Sequence, residues 1–123
     1  PHQLLHPGYP FGAAQHEGDL DFKDDDATLK VIRDAAAKVP TIVTVMLDRP
    51  AILTNVKPLV GALFGDFGIS DAALLDVITG KAAPEGSLPF ELPSSMEAVR
   101  NQKPDLPYDS ADPLYDFGFG LRY

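Results

Sequence analysis

Histidine, a common residue for proton transfer and metal binding in proteins, occurs in this chain only near its start. All three histidines lie within the first 16 residues, and His16 is followed directly by Glu17. His2 and His6 have the i, i+4 spacing of a metal-binding pair on a helix, but a proline and a glycine follow at once and disfavour a helix there. We therefore expect no metal site at this position. His16 is a candidate hydrogen-bonding group for a substrate, with an ordinary packed or exposed histidine as the alternative.

Three consecutive aspartates, Asp24–Asp26, form an acidic cluster. Such a run could bind a divalent cation or belong to the acidic pocket of a phospho-receiver domain. A receiver also needs an aspartate at the end of a central strand, which Asp48 could supply, and a lysine at the end of a later strand, which the sequence lacks at a suitable spacing. We favour a helix cap instead, because negative charge stabilises a helix N-terminus. An apolar stripe with helical spacing follows the aspartates, at Leu29, Ile32, Ala36 and Val39.

The composition excludes several classes of function. The chain contains no cysteine, which rules out disulfides, thiolate chemistry and cysteine-based metal sites. Because both cytoplasmic and secreted proteins can lack cysteine, its absence does not identify the compartment. The formal net charge of −8 would repel nucleic acid and an anionic membrane surface, and no apolar run is long enough to span a bilayer. The segment at residues 64–68 lacks the glycine spacing and the following helix of a phosphate-binding loop, so nucleotide binding is disfavoured.

The elements that would position these side chains alternate between helix and strand. A helix at residues 24–39 is followed by Pro40, which ends it, and residues 41–47 are a continuous β-branched apolar run. Such a run is typical of a strand that is buried on both faces of a parallel sheet. Asp48 and Arg49 follow at its carboxyl end, where open α/β sheets bind ligands. These two residues therefore either anchor the end of the sheet or contact a ligand.

The rest of the chain continues this alternation, which predicts an α/β layered domain. The patterns indicate extended segments at 51–56, 62–67 and 88–92, a short helix beginning near Pro58, and a helix over Asp71–Thr79 that Ser70 caps and Gly80 ends. We divide the single domain into a loop-rich candidate active-site segment at residues 1–25, an α/β core at 26–102 and an ordered C-terminal tail at 103–123.

Four segments, in the same order along the chain, carry a resemblance to the C-terminal domain of glycoside hydrolase family 3, the β-glucosidase-like family. The strand and turn TIVTVMLDRP at 41–50 is similar to a strand-and-turn element of that family. The segment TGKAAPEGSLPFELP at 79–93 resembles its helix end followed by a P-x-G-x-L-P turn, and PLYDFGFGLRY at 113–123 resembles its ending. The helix opening GISD at 68–71 stands where many members have PG-x-x-GG, so this segment departs from the common form.

This resemblance implies a fold, an activity and partners. The fold is a three-layer α/β/α sandwich with a mainly parallel sheet, expected to be N-terminally truncated because the chain opens on Pro1 rather than methionine. The activity is that of a retaining exo-β-glycosidase of β-glucosidase type, which removes terminal β-D-glucosyl residues with no metal or organic cofactor. The partners are a (β/α) barrel domain of the same enzyme and a β-glucoside or β-gluco-oligosaccharide substrate.

Retaining glycosidases use two carboxylates, a nucleophile and a general acid/base. The resemblance implies an aspartate nucleophile on the barrel, so the 123 residues alone should be inactive. It implies Glu17 as a candidate acid/base, although the family has a residue or two more between this glutamate and the glycine that follows. His16 and Asp19 then become candidate contacts to sugar hydroxyls. The alternatives are a solvated loop carboxylate at Glu17 and an acid/base upstream of Pro1.

A different class of function also fits the chain. Because the sequence holds no residue that matches the nucleophile, it could be a non-catalytic α/β module that binds carbohydrate or protein. An unpaired edge of its sheet would also favour self-association of the isolated domain, since such an edge can pair with another chain.

Overall fold

A computed structural model describes residues 26–122 of the chain. The first helix, α1 (Ala27–Ala36), begins after Asp26, whose carboxylate accepts hydrogen bonds from the backbone amides of Thr28 at 2.7 Å and Leu29 at 3.2 Å. These bonds satisfy amides that the first helical turn leaves without carbonyl partners. The predicted helix and the capping role of its preceding aspartate are confirmed, but the helix ends earlier than Val39, which is exposed.

Two strands form the sheet of the described residues. β1 (Ile42–Met46) and β2 (Ala62–Asp66) are parallel and pair residue by residue along their whole length. Just beyond β1, the Leu47 amide donates a hydrogen bond to the Asp66 carbonyl at 2.7 Å. Both strands and the parallel arrangement agree with the sequence-based expectation. Because the strands run the same way, their carboxyl ends lie at one edge of the sheet.

The two faces of this sheet have different surroundings. Val45 and Leu63 lie on one face and pack against the core. On the other face, Ile42 and Met46 are 48% and 64% exposed. The expectation that β1 is buried on both faces is therefore wrong for the described part of the chain. No helix within residues 26–122 covers the face that carries Ile42 and Met46.

The connection between the strands contributes much of the core without forming a strand of its own. The extended segment predicted at residues 51–56 is confirmed only around Ile52, where the backbone forms a β-bridge; the chain turns at residues 54–56 and enters a 3-10 helix (Lys57–Leu59). The apolar residues that suggested a strand are instead buried by the turn, at Ile52, Leu53 and Val56. The short helix expected near Pro58 is confirmed, and α1 packs against it.

Two further helices follow β2. α2 (Asp71–Ile78) begins after Ser70, whose hydroxyl accepts a hydrogen bond from the backbone amide of Ala73 at 3.3 Å. It ends before Gly80, whose φ of 76° lies in the left-handed region that favours glycine. Both ends agree with the prediction. α3 (Met96–Asn101), which begins after the cap Ser95, was not predicted.

The segment at residues 88–92 and the tail hold each other in place. The predicted strand at 88–92 is wrong as a continuous element, since only Leu92 makes a bridge, antiparallel to Tyr115. Leu88 adds two backbone bonds to the tail, donating to the Phe119 carbonyl at 2.9 Å and accepting from the Gly118 amide at 2.8 Å. The segment pairs with the tail rather than with β2.

The core is centred on three side chains that come from separate parts of the chain. Leu47, Leu53 and Leu92 are each at most 2% exposed and contact one another, and the aromatic ring of Tyr115 packs against them. The described residues thus form an α/β domain with a parallel pair of strands. No helix within residues 26–122 is long and apolar enough to cross a membrane.

Candidate active-site wall at the carboxyl edge of the sheet

The acidic and histidine residues proposed for chemistry precede the described part of the chain. Glu17, His16 and Asp19 lie outside residues 26–122, as do the other two histidines and the first two aspartates of the acidic cluster. Their roles in acid/base catalysis and sugar binding stay predictions. Within residues 26–122, no three His, Cys, Asp or Glu side chains are grouped so that they could hold a metal ion.

The carboxyl edge of the sheet brings two turns together. Asp48 and Arg49 follow β1, while Phe67 follows β2, and the parallel register places both turns at the same edge. The Asp66 carboxylate accepts a hydrogen bond from the Gly68 amide at 3.0 Å, which fixes the turn after β2. This arrangement matches the general location of ligand sites in open α/β sheets.

An aromatic side chain stands out from this edge. Phe67 is 56% exposed, and its ring meets the edge of the Phe90 ring at a centroid distance of 6.0 Å and an interplanar angle of 72°. Edge-to-face contact of this kind holds a ring in a defined orientation. The edge therefore presents a partly exposed aromatic ring one residue after Asp66, whose carboxylate is bonded to the turn.

An apolar groove of about 680 Å³ runs from this edge along β2. Its walls come from β2, from the α2 side chains Leu74 and Val77, from residues 83–88 and from the tail. The volume is within the range of roughly 300–1,000 Å³ that is typical of small-molecule pockets. Lys57 lines the groove with its ammonium nitrogen 4.7 Å from the centre of the Tyr115 ring, a cation–π contact. The groove can bind apolar surface, but its described walls show no paired acid and nucleophile.

The tail is bonded to another part of the groove wall, residues 85–86. The Arg122 guanidinium donates hydrogen bonds to the backbone carbonyls of Glu85 at 2.7 Å and Gly86 at 3.1 Å. Gly120 lies so close to the Gly86 carbonyl that a side chain there would collide with it. The second glycine of the FGFG sequence in the tail is therefore required for steric reasons.

Comparison with known families identifies the domain to which the four segments of the sequence analysis belong. The model of the glycosyl hydrolase family 3 C-terminal domain matches residues 11–123. The chain belongs to glycoside hydrolase family 3. The expectation drawn from the four resembling segments is confirmed, and the matched region extends further towards the N-terminus than those segments did.

Several curated proteins are similar to this family 3 domain. The periplasmic beta-glucosidase/beta-xylosidase of Dickeya chrysanthemi is 54% identical over 123 residues, which is 100% of this chain and 19% of that protein. Beta-glucosidase C of Emericella nidulans is 44% identical over 115 residues, covering 92% of this chain and 18% of its own length. The probable beta-glucosidase C of Aspergillus oryzae is 44% identical over 113 residues, again 92% of this chain, and 17% of that protein. The chain therefore spans about a fifth of the length of these relatives.

Sequence reasoning missed the groove of this family 3 domain. Leu74 and Val77 of α2 have the helical spacing that is typical of core-facing residues, but both stay partly exposed on the groove wall. The contact between Lys57 and Tyr115 joins residues that are far apart in sequence, so no local pattern could show it. The available signal was the unusual density of phenylalanine, tyrosine and glycine near the end of the chain.

Proposed function

We propose that this chain is the C-terminal domain of a retaining exo-β-glycosidase that removes terminal β-D-glucosyl residues, and that it supplies one wall of the active site. The family match over residues 11–123 carries this proposal, together with identities of 43–54% to proteins named as β-glucosidases. Those relatives are about five times as long as the matched region, which supports a role as one domain of a larger enzyme. The rest of that enzyme would include the barrel domain.

The reaction needs two carboxylates about 5–5.5 Å apart, one on each side of the glycosidic bond. The barrel would supply the aspartate nucleophile, which attacks the anomeric carbon and displaces the leaving group. Glu17 would protonate the glycosidic oxygen as that bond breaks. It would then take a proton from the water that releases the sugar from the nucleophile, so that the product keeps the β configuration. His16 and Asp19, next to this glutamate, would hydrogen-bond to sugar hydroxyls.

The complete domain would be a three-layer α/β/α sandwich with a mainly parallel sheet. Parallel sheets are usually covered by helices on both faces, whereas Ile42 and Met46 of β1 are largely exposed in the described residues. Further strands and helices of the longer protein would cover this face. Such a sheet would direct its carboxyl edge, with Phe67 and Asp66, towards the barrel, because ligands bind at that edge.

Hydrolysis of 4-nitrophenyl β-D-glucoside by the longer protein tests this function, with 4-nitrophenyl β-D-xyloside as a second substrate because one relative is also named a β-xylosidase. We expect release of 4-nitrophenolate from the glucoside. A longer protein that hydrolyses neither substrate would favour the non-catalytic binding module instead. The 123 residues alone are expected to be inactive, since the nucleophile is then missing.

The variant Glu17→Ala tests the residue assignment separately. 4-Nitrophenolate leaves without protonation, so this variant should slow chiefly the second step, by about 10²–10⁴-fold, the usual contribution of a general acid/base. Azide needs no general base, so it should restore turnover and form β-glucosyl azide. Glu97→Ala, which removes an exposed glutamate of α3, is the matched control and should retain wild-type turnover. Unchanged turnover in Glu17→Ala would refute this role for Glu17.

A further inference from the structure

The tail presents an aromatic surface that the described residues leave uncovered. Tyr108 is 57% exposed and Phe117 is 52% exposed, and their rings are in contact at a centroid distance of 4.6 Å. Leu106, two positions before Tyr108, is 49% exposed. We call Leu106, Tyr108 and Phe117 the tail surface. Clustered exposed apolar side chains of this kind mark interaction sites more often than isolated ones do.

The backbone of this surface is held in an unfavourable conformation. Tyr108 has a φ of 58° and Asp112 a φ of 50°, both in the left-handed region that non-glycine residues rarely adopt. The loop is fixed from both sides, because the Asp109 carboxylate accepts from the Lys103 amide at 2.9 Å and the Ser110 amide donates to the Glu91 carboxylate at 3.1 Å. Such strain persists where the surrounding structure enforces it, and it is concentrated at functional positions. The Tyr108 ring is therefore presented to solvent by a rigid loop.

We propose that the tail surface is the contact through which this domain packs against the rest of the longer protein, a deeper inference that rests on the proposed function. The relatives extend over about four-fifths of their length beyond the matched region, so most of the protein that could cover these rings is outside this chain. Tyrosine is enriched among the residues that dominate interfaces, and a rigid ring loses little conformational entropy on docking. The tail surface thus has the properties of the centre of an interface.

The charge around this surface specifies the chemistry of its partner. The exposed charged residues between positions 103 and 117 are one lysine, Lys103, and three aspartates, Asp105, Asp112 and Asp116, so the charge near the aromatic side chains along the chain is negative. Interfaces place an apolar centre within a polar rim, and charges across the rim are complementary. The partner region of the longer protein is therefore expected to present an apolar depression bordered by lysine or arginine.

Hydroxyl-radical footprinting of the longer protein tests the contact. Oxidation rates are first corrected for the intrinsic reactivity of each side chain. We expect the rates of Tyr108 and Phe117 in the longer protein to be about fivefold lower than the exposed fractions of these side chains in this domain predict, because the centre of an interface is shielded from solvent. The variant Tyr108→Asn removes the ring, and asparagine tolerates the left-handed backbone. It should raise the oxidation of Phe117 and lower the melting temperature of the longer protein. The control Val31→Ala, at an exposed position of α1, should change neither.

Three results would overturn the proposal. Oxidation of both rings at the rate of free side chains would show that nothing covers them. Protection that disappears on dilution would assign the surface to a second copy of the protein. Protection that appears only on addition of cellobiose would assign it to a sugar. Because footprinting does not depend on turnover, protected rings in a protein that hydrolyses no β-glycoside would refute the proposed function and leave this interface standing.

Discussion

Gly65 gives the sharpest test of the packing between the sheet and the core. A Cβ at this position would lie 2.6 Å from Leu47 Cδ1 and 3.5 Å from its Cγ. Carbon atoms prefer separations of about 3.5–4.0 Å, so the first contact would be too short by about 1 Å. Leu47 is 1% exposed and packs against Leu53 and Leu92, so it cannot move aside freely. We therefore expect this collision to dominate the effect of Gly65→Ala on the free energy of unfolding.

The magnitude follows from two opposing effects. Overpacking of a core costs about 1–3 kcal/mol. Gly65 is not among the described glycines with positive φ, so alanine would also gain about 0.4–1 kcal/mol through the reduced entropy of the unfolded chain. Collision is the larger effect, and we expect a net destabilisation of about 1–2 kcal/mol. Gly61→Ala is the matched control, because its nearest contact is an ordinary 3.7 Å to the Thr41 carbonyl, and it should be neutral or slightly stabilising.

The decisive comparison is with a smaller residue at position 47. Leu47→Ala alone should cost about 2–5 kcal/mol by leaving a cavity. With Leu47 already replaced, the Gly65→Ala substitution meets no Cδ1 atom and should no longer destabilise the domain. The assay is urea unfolding of the 123-residue chain followed by far-ultraviolet circular dichroism. The reasoning would be refuted if Gly65→Ala had the same effect on the free energy of unfolding in both backgrounds, because neighbouring residues in contact must show coupling.

Two further substitutions test the local hydrogen bonds. Asp26→Ala removes the cap from the first amides of α1 and should lower the free energy of unfolding by about 1 kcal/mol. The control Asp34→Ala breaks only an exposed pair with Lys30 and should cost less than about 0.5 kcal/mol; equal losses would argue against the cap. Arg122→Ala removes two hydrogen bonds between the tail and residues 85–86, which should destabilise the attachment of the tail by about 1 kcal/mol. Amide exchange at Leu88, whose amide is bonded to the tail, should therefore accelerate about fivefold. Unchanged exchange measured by NMR would show that the arginine does not hold the tail.

Local signals explain why some elements could be predicted from the sequence. Asp26 and Ser70 each precede an apolar helical stripe, and the β-branched run at 41–47 needs little more than its own side chains to favour an extended conformation. The runs at 51–56 and 88–92 look similar, but a strand also requires a neighbour to accept its hydrogen bonds. β2 pairs with β1 instead, so the run at 51–56 is extended only around Ile52 before it turns, and the run at 88–92 pairs with the tail.

The candidate site was predictable to a smaller extent. The resemblance identified the family correctly because it depends on the order of several short motifs, each readable along the chain. The groove depends on where α2 and the tail lie relative to β2, which no local pattern specifies. α3 was missed because it has only six residues, although Ser95 two positions before Glu97 offered a weak sign of a helix start.

The stereochemistry of hydrolysis tests the central claim most directly. The longer protein would be mixed with 4-nitrophenyl β-D-glucoside, and the anomeric protons of the released sugar followed by ¹H NMR. If this chain completes a retaining β-glucosidase, β-D-glucose should appear first and the α anomer only later, through mutarotation. Initial release of α-D-glucose, or no release of glucose at all, would contradict the account.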